Sequence, residues 1–233
     1  GMILLFYILG IVTIKIKEKK MLKRFMYFAS VFLIGLFAPM TASNAAPVPG
    51  DVASVKIDSL IFLTHDRVVF SVAFSPSGDA LAAASLDGAI SLWRVGGVLL
   101  NKIRLHEKMV LSVVFSPNGR QLASASADGT VALFDRDGSL RHRLTGHVTN
   151  VAALAWSPDG KLIASGAEDR RILVHGVGGG MVTVLTGQLQ APTALEFTPD
   201  GKRLVVAERG QHVVVYDVKT WRTEKLVKAH RDV

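Results

Sequence analysis

Short apolar runs alternate with turn sequences along residues 65–233, and the runs return in the same order at a fixed interval. In one copy, residues 110–115 (VLSVVF) are almost continuously apolar, which is typical of a strand covered on both faces. Residues 116–119 (SPNG) follow as a tight turn, because proline presets φ and glycine adopts positive φ without penalty. Each copy is therefore predicted to open with a buried strand and a tight turn.

Three further strands complete the same copy. Residues 121–126 and 130–134 are rich in small and β-forming side chains and are separated by an Ala-Asp-Gly turn. After a turn at 135–138 (DRDG), residues 140–144 form a weaker and more polar fourth strand. The pattern therefore predicts an all-β unit of four strands.

The repeat is 41 residues long, and three kinds of residue keep this interval through four copies. They are an aromatic residue at Phe74, Phe115, Trp156 and Phe197, a proline at Pro76, Pro117, Pro158 and Pro199, and a glycine at Gly78, Gly119, Gly160 and Gly201. Four strands in roughly 40 residues make one propeller blade. We therefore predict a β-propeller of four-stranded blades, with four 41-residue repeats and the start of a fifth.

The ends of the repeat region predict an incomplete propeller. His230 comes 42 residues after Gln188, which stands in the repeat's histidine position, and it opens a fifth repeat. Residues 52–62 are interpreted as an outer strand of a preceding blade. A closed ring of four blades would leave that strand and the last five residues redundant.

The chain is divided into four segments by its composition. Residues 1–20 are interpreted as an upstream extension from a start codon assigned too early, 21–45 as a signal peptide, 46–51 as a linker and 52–233 as the propeller. The predicted blades cover about 65–105, 106–146, 147–187 and 188–229.

The predicted leader has the three parts of a secretory signal peptide. Lys23 and Arg24 form a basic start, residues 25–40 are a 16-residue apolar run, and small side chains at Ser43 and Ala45 suit a cleavage site. A membrane span needs roughly 20 residues, so the run is short for one, and an uncleaved signal anchor is the alternative. The expected localisation is therefore export, periplasmic or secreted. The alternative is a membrane-anchored chain with an extracytoplasmic propeller.

The segment before the leader is harder to assign. Residues 3–14 are apolar, but 12 residues are too few to span a membrane alone, and a basic run at 15–20 follows them. The alternative to an early start codon is a two-segment membrane hairpin with a basic cytoplasmic turn.

The repeat phrases resemble those of the WD-repeat (Trp-Asp repeat) β-propeller family over about residues 52–233. The phrases are FSPSG, FSPNG, WSPDG and FTPDG, followed by LAAASLDG, LASASADG and LIASGAED. In that family a histidine before the first strand, a serine or threonine on the second, an aspartate in the next turn and a tryptophan on the third form a hydrogen-bonded tetrad. The resemblance therefore implies a structural role for the recurring histidines.

The resemblance implies polar pairs in three of the four repeats. The residues are His65 and Asp87 in the first repeat, His106, Ser124 and Asp128 in the second, and His147, Ser165 and Asp169 in the third. Trp93, Phe134, His175 and Tyr216 stand in the tryptophan position, and Ala83 replaces the serine of the first repeat. In the fourth repeat, Gln188, Val206 and Gly210 replace the histidine, serine and aspartate, so the tetrad is lost there.

Charge and composition exclude several classes of function. The formal net charge is +8, but residues 1–45 carry +5 of it, and the remaining +3 is ordinary for a soluble domain rather than a nucleic-acid footprint. The chain has no cysteine, which excludes disulfides and thiolate sites. Because the histidines recur in register, each 22 residues before an aspartate, we interpret them as structural. We expect no catalytic residue, metal site or cofactor.

The expected function is that of an exported scaffold for protein–protein interactions rather than an enzyme. Propellers of this family resemble rigid platforms whose loops bind partners. The candidate binding face consists of the residue before each aspartate position and the residue three after each histidine position. These residues are Val68, Leu86, Met109, Ala127, Asn150, Glu168, Ala191 and Arg209. Most are uncharged, which suits a protein or peptide partner better than a nucleic acid.

Two other functions stay open. In the first, the propeller is an accessory module of a larger exported enzyme. In the second, the propeller is itself an enzyme that binds a small molecule in its central channel. The apolar first strands count against a polar channel site. Self-association of the incomplete ring is a further expectation, and membrane contact is expected only if the leader stays uncleaved.

Overall fold

A computed structural model of the chain describes residues 67–210 and 212–228, together with the backbone of three strands at 5–8, 11–14 and 61–64. The predicted leader and linker, His65 and the start of the fifth repeat lie outside the described residues. The assignments made for those segments stay predictions.

The described part of the chain consists of strands and turns. The strands are β1 (Leu5–Ile8), β2 (Ile11–Ile14), β3 (Ile61–Thr64), β4 (Val69–Phe74), β5 (Ala80–Ser85), β6 (Ala89–Arg94), β7 (Val98–Arg104), β8 (Val110–Phe115), β9 (Gln121–Ser126), β10 (Val131–Asp135), β11 (Leu140–Leu144), β12 (Val151–Trp156), β13 (Leu162–Ala167), β14 (Ile172–Gly176), β15 (Met181–Leu185), β16 (Pro192–Phe197), β17 (Arg203–Glu208), β18 (His212–Asp217) and β19 (Thr223–Lys228). Within that part, no helix has the length and apolarity that a membrane-spanning helix needs.

Each predicted repeat forms one four-stranded antiparallel sheet in which consecutive strands are neighbours. The sheets are blade 1 (β4–β7), blade 2 (β8–β11), blade 3 (β12–β15) and blade 4 (β16–β19). The strands β1, β2 and β3 form a separate three-stranded sheet. The prediction of an all-β chain with four four-stranded repeats is confirmed.

The first strand of every blade carries a bulge near its beginning. In blade 2, Val110 pairs with Ser126 but Ser112 pairs with Ala125, so one residue of β8 has no partner. The same shift occurs at the equivalent position of the other three blades. A bulge bends a strand and increases its twist. It lies at the end of the blade that carries the recurring histidine and aspartate, so all four blades shape that end in the same way.

Neighbouring blades pack small side chains against large ones. Between blades 2 and 3, Ala123 and Ala125 share a buried cluster with Leu154, Trp156 and Ile163. Small residues let the two sheets approach, and large residues fill the remaining space. Successive first strands are in contact, β4 with β8, β8 with β12 and β12 with β16, so the blades form an arc in sequence order.

The arc is open within the described residues, because β4 and β16 do not make the contact that joins the other neighbouring first strands. Ile172 and Val174 of blade 3 are fully buried against blade 4, whereas Val213 and Val215 at the same positions of blade 4 are only half-buried. The "open face of blade 4" comprises Val205, Ala207, Val213 and Val215, which pair across β17 and β18. The prediction of an incomplete ring is confirmed.

Candidate functional site

One end of the blades, called the serine end, is uniform. In blade 2, Ser116 is buried, and its Oγ accepts a hydrogen bond from the backbone N–H of Gln121 at 2.9 Å. Ser75 and Ser157 are buried in the same arrangement in blades 1 and 3. These hydroxyls close the turns, so the serine end is built for rigidity and offers no exposed nucleophile at these three positions.

At the opposite end, called the histidine end, His106 joins three parts of blade 2. Its Nδ1 lies 2.9 Å from Oδ2 of Asp128, and its Nε2 lies 2.7 Å from Oγ of Ser124. The backbone N–H and the hydroxyl of Thr130 both donate to Oδ1 of Asp128, at 2.9 and 2.7 Å. Because a carboxylate only accepts, Nδ1 donates to Asp128, and the Ser124 hydroxyl donates to Nε2. The structure thus brings together the three residues implied for the second repeat.

The protonation of this pair suits a structural contact. Burial lowers the pKa of His106 below its ordinary value, although the hydrogen bond with Asp128 opposes the shift. Burial alone would raise the pKa of Asp128, but hydrogen bonds from Thr130 and His106 outweigh it and hold that pKa below its usual range. At neutral pH the pair is therefore a neutral imidazole donating to a carboxylate.

Blade 3 builds the same network with one addition. His147 Nδ1 lies 3.0 Å from Oδ2 of Asp169, and its Nε2 lies 3.0 Å from Oγ of Ser165. Arg171 donates to the same carboxylate at 2.8 Å and to the carbonyl of Gly146 at 2.8 Å. Burial lowers the pKa of His147, and hydrogen bonds from His147 and Arg171 lower that of Asp169 against the effect of its own burial. Arg171 therefore belongs to the blade rather than to the free surface.

Blade 1 shows only half of its implied pair, because His65 lies outside the described residues. Asp87 accepts a hydrogen bond from the backbone N–H of Ala89 at 3.2 Å. The ammonium of Lys102 and the guanidinium of Arg104 lie 3.9 and 3.4 Å from its Oδ2. The Asp87 turn is thus held from the outer strand β7 as well as from within.

Blade 4 replaces the lost network with a contact that the sequence reasoning missed. The side-chain amide of Gln188 lies 2.8 Å from the hydroxyl of Tyr216, and both side chains are buried. With the amide oxygen accepting from Tyr216, the amide nitrogen donates to the carbonyl of Arg170 at 2.6 Å and to that of Leu185 at 3.2 Å. Gln188 therefore ties blade 4 to blade 3. The sequence contained a signal for this contact, since Gln188 occupies the histidine position and Tyr216 the tryptophan position of the fourth repeat.

The arrangement of the histidine and acidic side chains bears on whether the described residues could bind a metal ion. No group of three or more histidine, aspartate or glutamate side chains among them could hold a metal ion. His175, in the tryptophan position of blade 3, is buried, and its Nδ1 has no hydrogen-bond partner within that part of the chain. Burial lowers the pKa of His175, so it packs as a neutral ring.

The two sets of residues predicted for the binding face meet in every blade. One backbone hydrogen bond joins each pair, with the N–H of the aspartate-turn residue as donor. The pairs are Leu86 to Val68 (2.9 Å), Ala127 to Met109 (2.9 Å), Glu168 to Asn150 (3.0 Å) and Arg209 to Ala191 (2.8 Å). The backbone is therefore the same in all four blades while the side chains differ.

Exposure varies along this face. Val68, Leu86, Glu168 and Arg209 are exposed, and Met109, Asn150 and Ala191 are half-buried. Ala127 is only 5% exposed, so the prediction that it presents an exposed side chain is wrong. A methyl group is too short to extend beyond its own turn, whereas the leucine at the same position of blade 1 does.

Two apolar residues on the same end were missed. Val148 is 79% exposed and Leu189 is 52% exposed. Each directly follows the histidine position of its repeat, where blade 2 has Glu107. The repeat register therefore contained the signal, but only the structure shows that these side chains point away from the blades.

The chain matches the model of a known protein family. The family model described as "WD domain, G-beta repeat" matches residues 58–94, 97–135 and 138–175. The chain belongs to the WD-repeat family. The second and third matched segments each contain the outer strand that ends one blade and the first three strands of the next, so the model and the sheets divide the chain at different points. The fourth WD repeat, which lacks the histidine, serine and aspartate, lies beyond these matches.

A search of curated proteins found no match to the chain. WD-repeat propellers are generally scaffolds without enzymatic activity, and they typically bind protein partners. Membership of this family thus supports a role in protein interaction.

Proposed function

We propose that this chain is an exported scaffold that binds a protein or peptide partner through the histidine end of its blades. The observation that carries the proposal is the invariant backbone hydrogen bond between the two loops of each blade. This hydrogen bond fixes the backbone at one equivalent position in each blade, and the exposed side chain there is leucine in blade 1, glutamate in blade 3 and arginine in blade 4. A fixed frame with variable side chains is what selective recognition requires.

The frame under this face is rigid for a physical reason. In blades 2 and 3 the loops are anchored from below by His106 and His147, each hydrogen-bonded to an aspartate and a serine. Buried hydrogen bonds to a charged group are strong and are costly to leave unmade. A partner therefore meets a preorganised surface and loses little entropy in ordering it.

The partner test is affinity capture from the native extracytoplasmic fraction with the wild-type chain and a Met109→Ala, Arg209→Ala double variant. The double variant is expected to lose the partner, because hot spots centre on large side chains. A Val98→Ala, Arg120→Ala double variant is the matched control, since both residues are exposed and lie at the serine end. Equal capture by all three proteins would place the binding surface elsewhere.

Export is the second part of the proposal. It is supported by the order of basic, apolar and small residues over 21–45. N-terminal sequencing of the mature chain is expected to begin near Ala46 or Pro47. An intact leader recovered in the membrane fraction would instead establish a membrane-anchored propeller.

Self-association is a second candidate property, favoured by the open face of blade 4. Its four apolar residues lie at positions that are buried between blades elsewhere in the arc. Uncovered apolar surface of this kind favours association. The roles of an enzyme accessory module or a small-molecule enzyme have no comparable observation in their support.

A further inference from the structure

The most exposed apolar side chains at the histidine end lie on blades 3 and 4. Val148 and Leu189 directly follow the histidine position of their repeats and project from the loops that lead into β12 and β16. Neither residue contributes to the buried clusters that hold the blades together. Their exposure has no structural role in the described residues, so they are free to contact a partner.

Backbone contacts bring these two residues next to two arginines. The N–H of Val148 donates to Oδ2 of Asp169 at 3.2 Å, which places Val148 beside the turn that ends in Arg170. Gln188, the residue before Leu189, donates to the carbonyl of that same Arg170. The N–H of Arg209 donates to the carbonyl of Ala191 at 2.8 Å, two residues after Leu189. The "blade 3–4 patch" is defined as Val148, Arg170, Leu189 and Arg209.

Arg170 is held in an unusual backbone conformation. Its φ is 60°, in the left-handed region that favours glycine, and blades 1 and 2 have Gly88 and Gly129 at this position. Strain of this kind persists where the surrounding structure imposes it and is frequent at binding sites. The side chain of Arg170 is exposed and makes no hydrogen bond or ion pair with the described residues. The backbone of Arg170 takes part in the turn and in the contact with Gln188, but its side chain makes no contribution to these hydrogen bonds.

Carboxylates and guanidiniums both lie around the patch, but the carboxylates are held by loop contacts. Glu208, the residue before Arg209, is buried, and its Oε2 accepts a hydrogen bond from the backbone N–H of Gln190. Asp169 is paired with His147 and Arg171, and the carboxylate of Glu168 accepts a hydrogen bond from Asn150 at 3.0 Å. Arg209 is exposed and, like Arg170, its side chain forms no ion pair in the described part of the chain. Two unpaired guanidiniums therefore flank two exposed apolar side chains.

We propose that the blade 3–4 patch binds an acidic peptide segment that carries an apolar side chain. The apolar side chain packs on Val148 and Leu189, and the carboxylates pair with the guanidiniums of Arg170 and Arg209, which are well shaped for bidentate contact. This inference rests on the proposed function and names the chemistry of its partner.

The test is a selection from a random nonapeptide display library on the full chain. Enriched peptides are expected to combine leucine, isoleucine, valine or phenylalanine with neighbouring aspartate or glutamate. One enriched peptide is then synthesised with a fluorophore, and its affinity is measured by fluorescence anisotropy at several salt concentrations. Affinity is expected to fall as salt rises, because the guanidinium contacts are exposed.

Arg170→Gly separates binding from folding. It restores the residue of blades 1 and 2 and removes backbone strain, so the unfolding midpoint is expected to stay unchanged or rise. The same variant is expected to lower the affinity for the peptide by at least about tenfold, and Val148→Ser is expected to lower it by a similar factor. Arg120→Ala, an exposed arginine at the serine end, is the control and should bind as the wild type does.

Several results would overturn the proposal. They are enrichment of peptides without acidic residues, no enrichment at all, a preference for a single-stranded oligonucleotide over the peptide, or equal affinity of the wild type and Arg170→Gly. A native partner lost by Met109→Ala but retained by Arg170→Gly and Val148→Ser would leave the proposed function standing and refute this peptide site alone.

Discussion

Individual residues at the histidine end stabilise the propeller through a few buried polar groups. The imidazole of His106 is fully enclosed and the carboxylate of Asp128 nearly so, and each satisfies the other. Removing one partner leaves the other buried without a hydrogen bond, which costs more than the pair contributes as a whole. The contribution of these residues to stability is therefore measured best by removing one partner of the pair.

Asp128→Ala is expected to lower the free energy of unfolding by about 3–5 kcal/mol, because it strands His106 and Thr130. Urea denaturation of the wild type and the variant measures the difference. Asp200→Ala is the matched control. Asp200 is exposed and bonds only to Thr198 and Lys202 of its own turn, so water can replace those bonds and the loss should be much smaller than for Asp128→Ala. Equal midpoints for the wild type and Asp128→Ala would contradict the role assigned to the network.

Gly210 is a poorer control for the same experiment, although it occupies the aspartate position of blade 4. Its φ of +126° lies in the region that favours glycine, so alanine there introduces strain unrelated to any lost hydrogen bond. An exposed aspartate changes only its side-chain contacts and isolates the effect of burial.

Acid is expected to destabilise the propeller through the same residues. The pKa values of His106 and His147 are lowered in the folded chain, so the unfolded chain binds more protons once the pH falls below about 6.5. The pKa values of Asp128 and Asp169 are also lowered, which adds a further loss of stability below about pH 4. The free energy of unfolding should therefore decrease steadily from pH 7 to pH 5 and faster below.

The histidine part of this pH dependence has its own control. Blade 4 has Gln188 in the histidine position, which cannot titrate. A His106→Gln, His147→Gln double variant is expected to be less stable at pH 7 but to show a flatter profile between pH 7 and pH 5. An unchanged slope in urea titrations across that range would show that other groups bind the protons.

At the scale of the element, turns between strands set how closely one blade approaches the next. Gly88, in the turn between β5 and β6, has φ +76°, and a Cβ there would lie 2.6 Å from the carbonyl oxygen of His106 on blade 2. Backbone atoms of this kind cannot move aside without shifting the whole loop. The turn is therefore confined to glycine by both its own conformation and its neighbour.

Gly88→Ala is expected to cost about 2 kcal/mol or more, from the left-handed φ and the clash with blade 2. Gly178→Ala is the control, because Gly178 lacks positive φ and a Cβ there would meet nothing within 4 Å. Thermal unfolding of both variants measures the effect. A Gly88→Ala chain as stable as Gly178→Ala would mean that the loop of blade 2 moves freely.

At the scale of the whole molecule, the arc ends in an apolar surface. Blade 4 covers its neighbour, but no other blade in the described part of the chain covers blade 4, so Val213 and Val215 remain half-exposed there. Blade interfaces elsewhere bury the equivalent residues completely. The free energy that such burial contributes, about 25 cal/mol per Å² of apolar surface, is available to a partner surface.

The chain is expected to associate in solution in a concentration-dependent manner, and Val213→Glu is expected to reduce that association, because it places a charge in the middle of the open face. Sedimentation velocity at several concentrations measures the effect. Leu226→Glu adds the same charge to an exposed outer-strand position of the same blade and should leave association unchanged. A monodisperse wild-type monomer would show that the open face does not associate.

Much of the fold was predictable because its signals are local. The apolar run at 110–115 became β8 and the run at 121–126 became β9 with the same bounds, since alternation and turn chemistry act over a few residues. The third strand was placed one residue too early, at 130 instead of Val131, where Thr130 instead turns its hydroxyl to Asp128. The network residues were found because the 41-residue period aligns them with the family motif.

The sequence by itself determined the strands, the turns and the number of described blades, because each depends on neighbours within one repeat. Exposure was decided only by the tertiary structure. Ala127 and Leu86 share a register, yet one is buried and the other exposed, and Val148 projects into solvent from a position that in blade 2 holds Glu107. The Gln188–Tyr216 contact and the open face of blade 4 likewise depend on how one sheet packs on the next. A repeat period specifies which residues are equivalent, but it does not specify what lies opposite each of them, and that is what determines burial, pairing and the surface left for a partner.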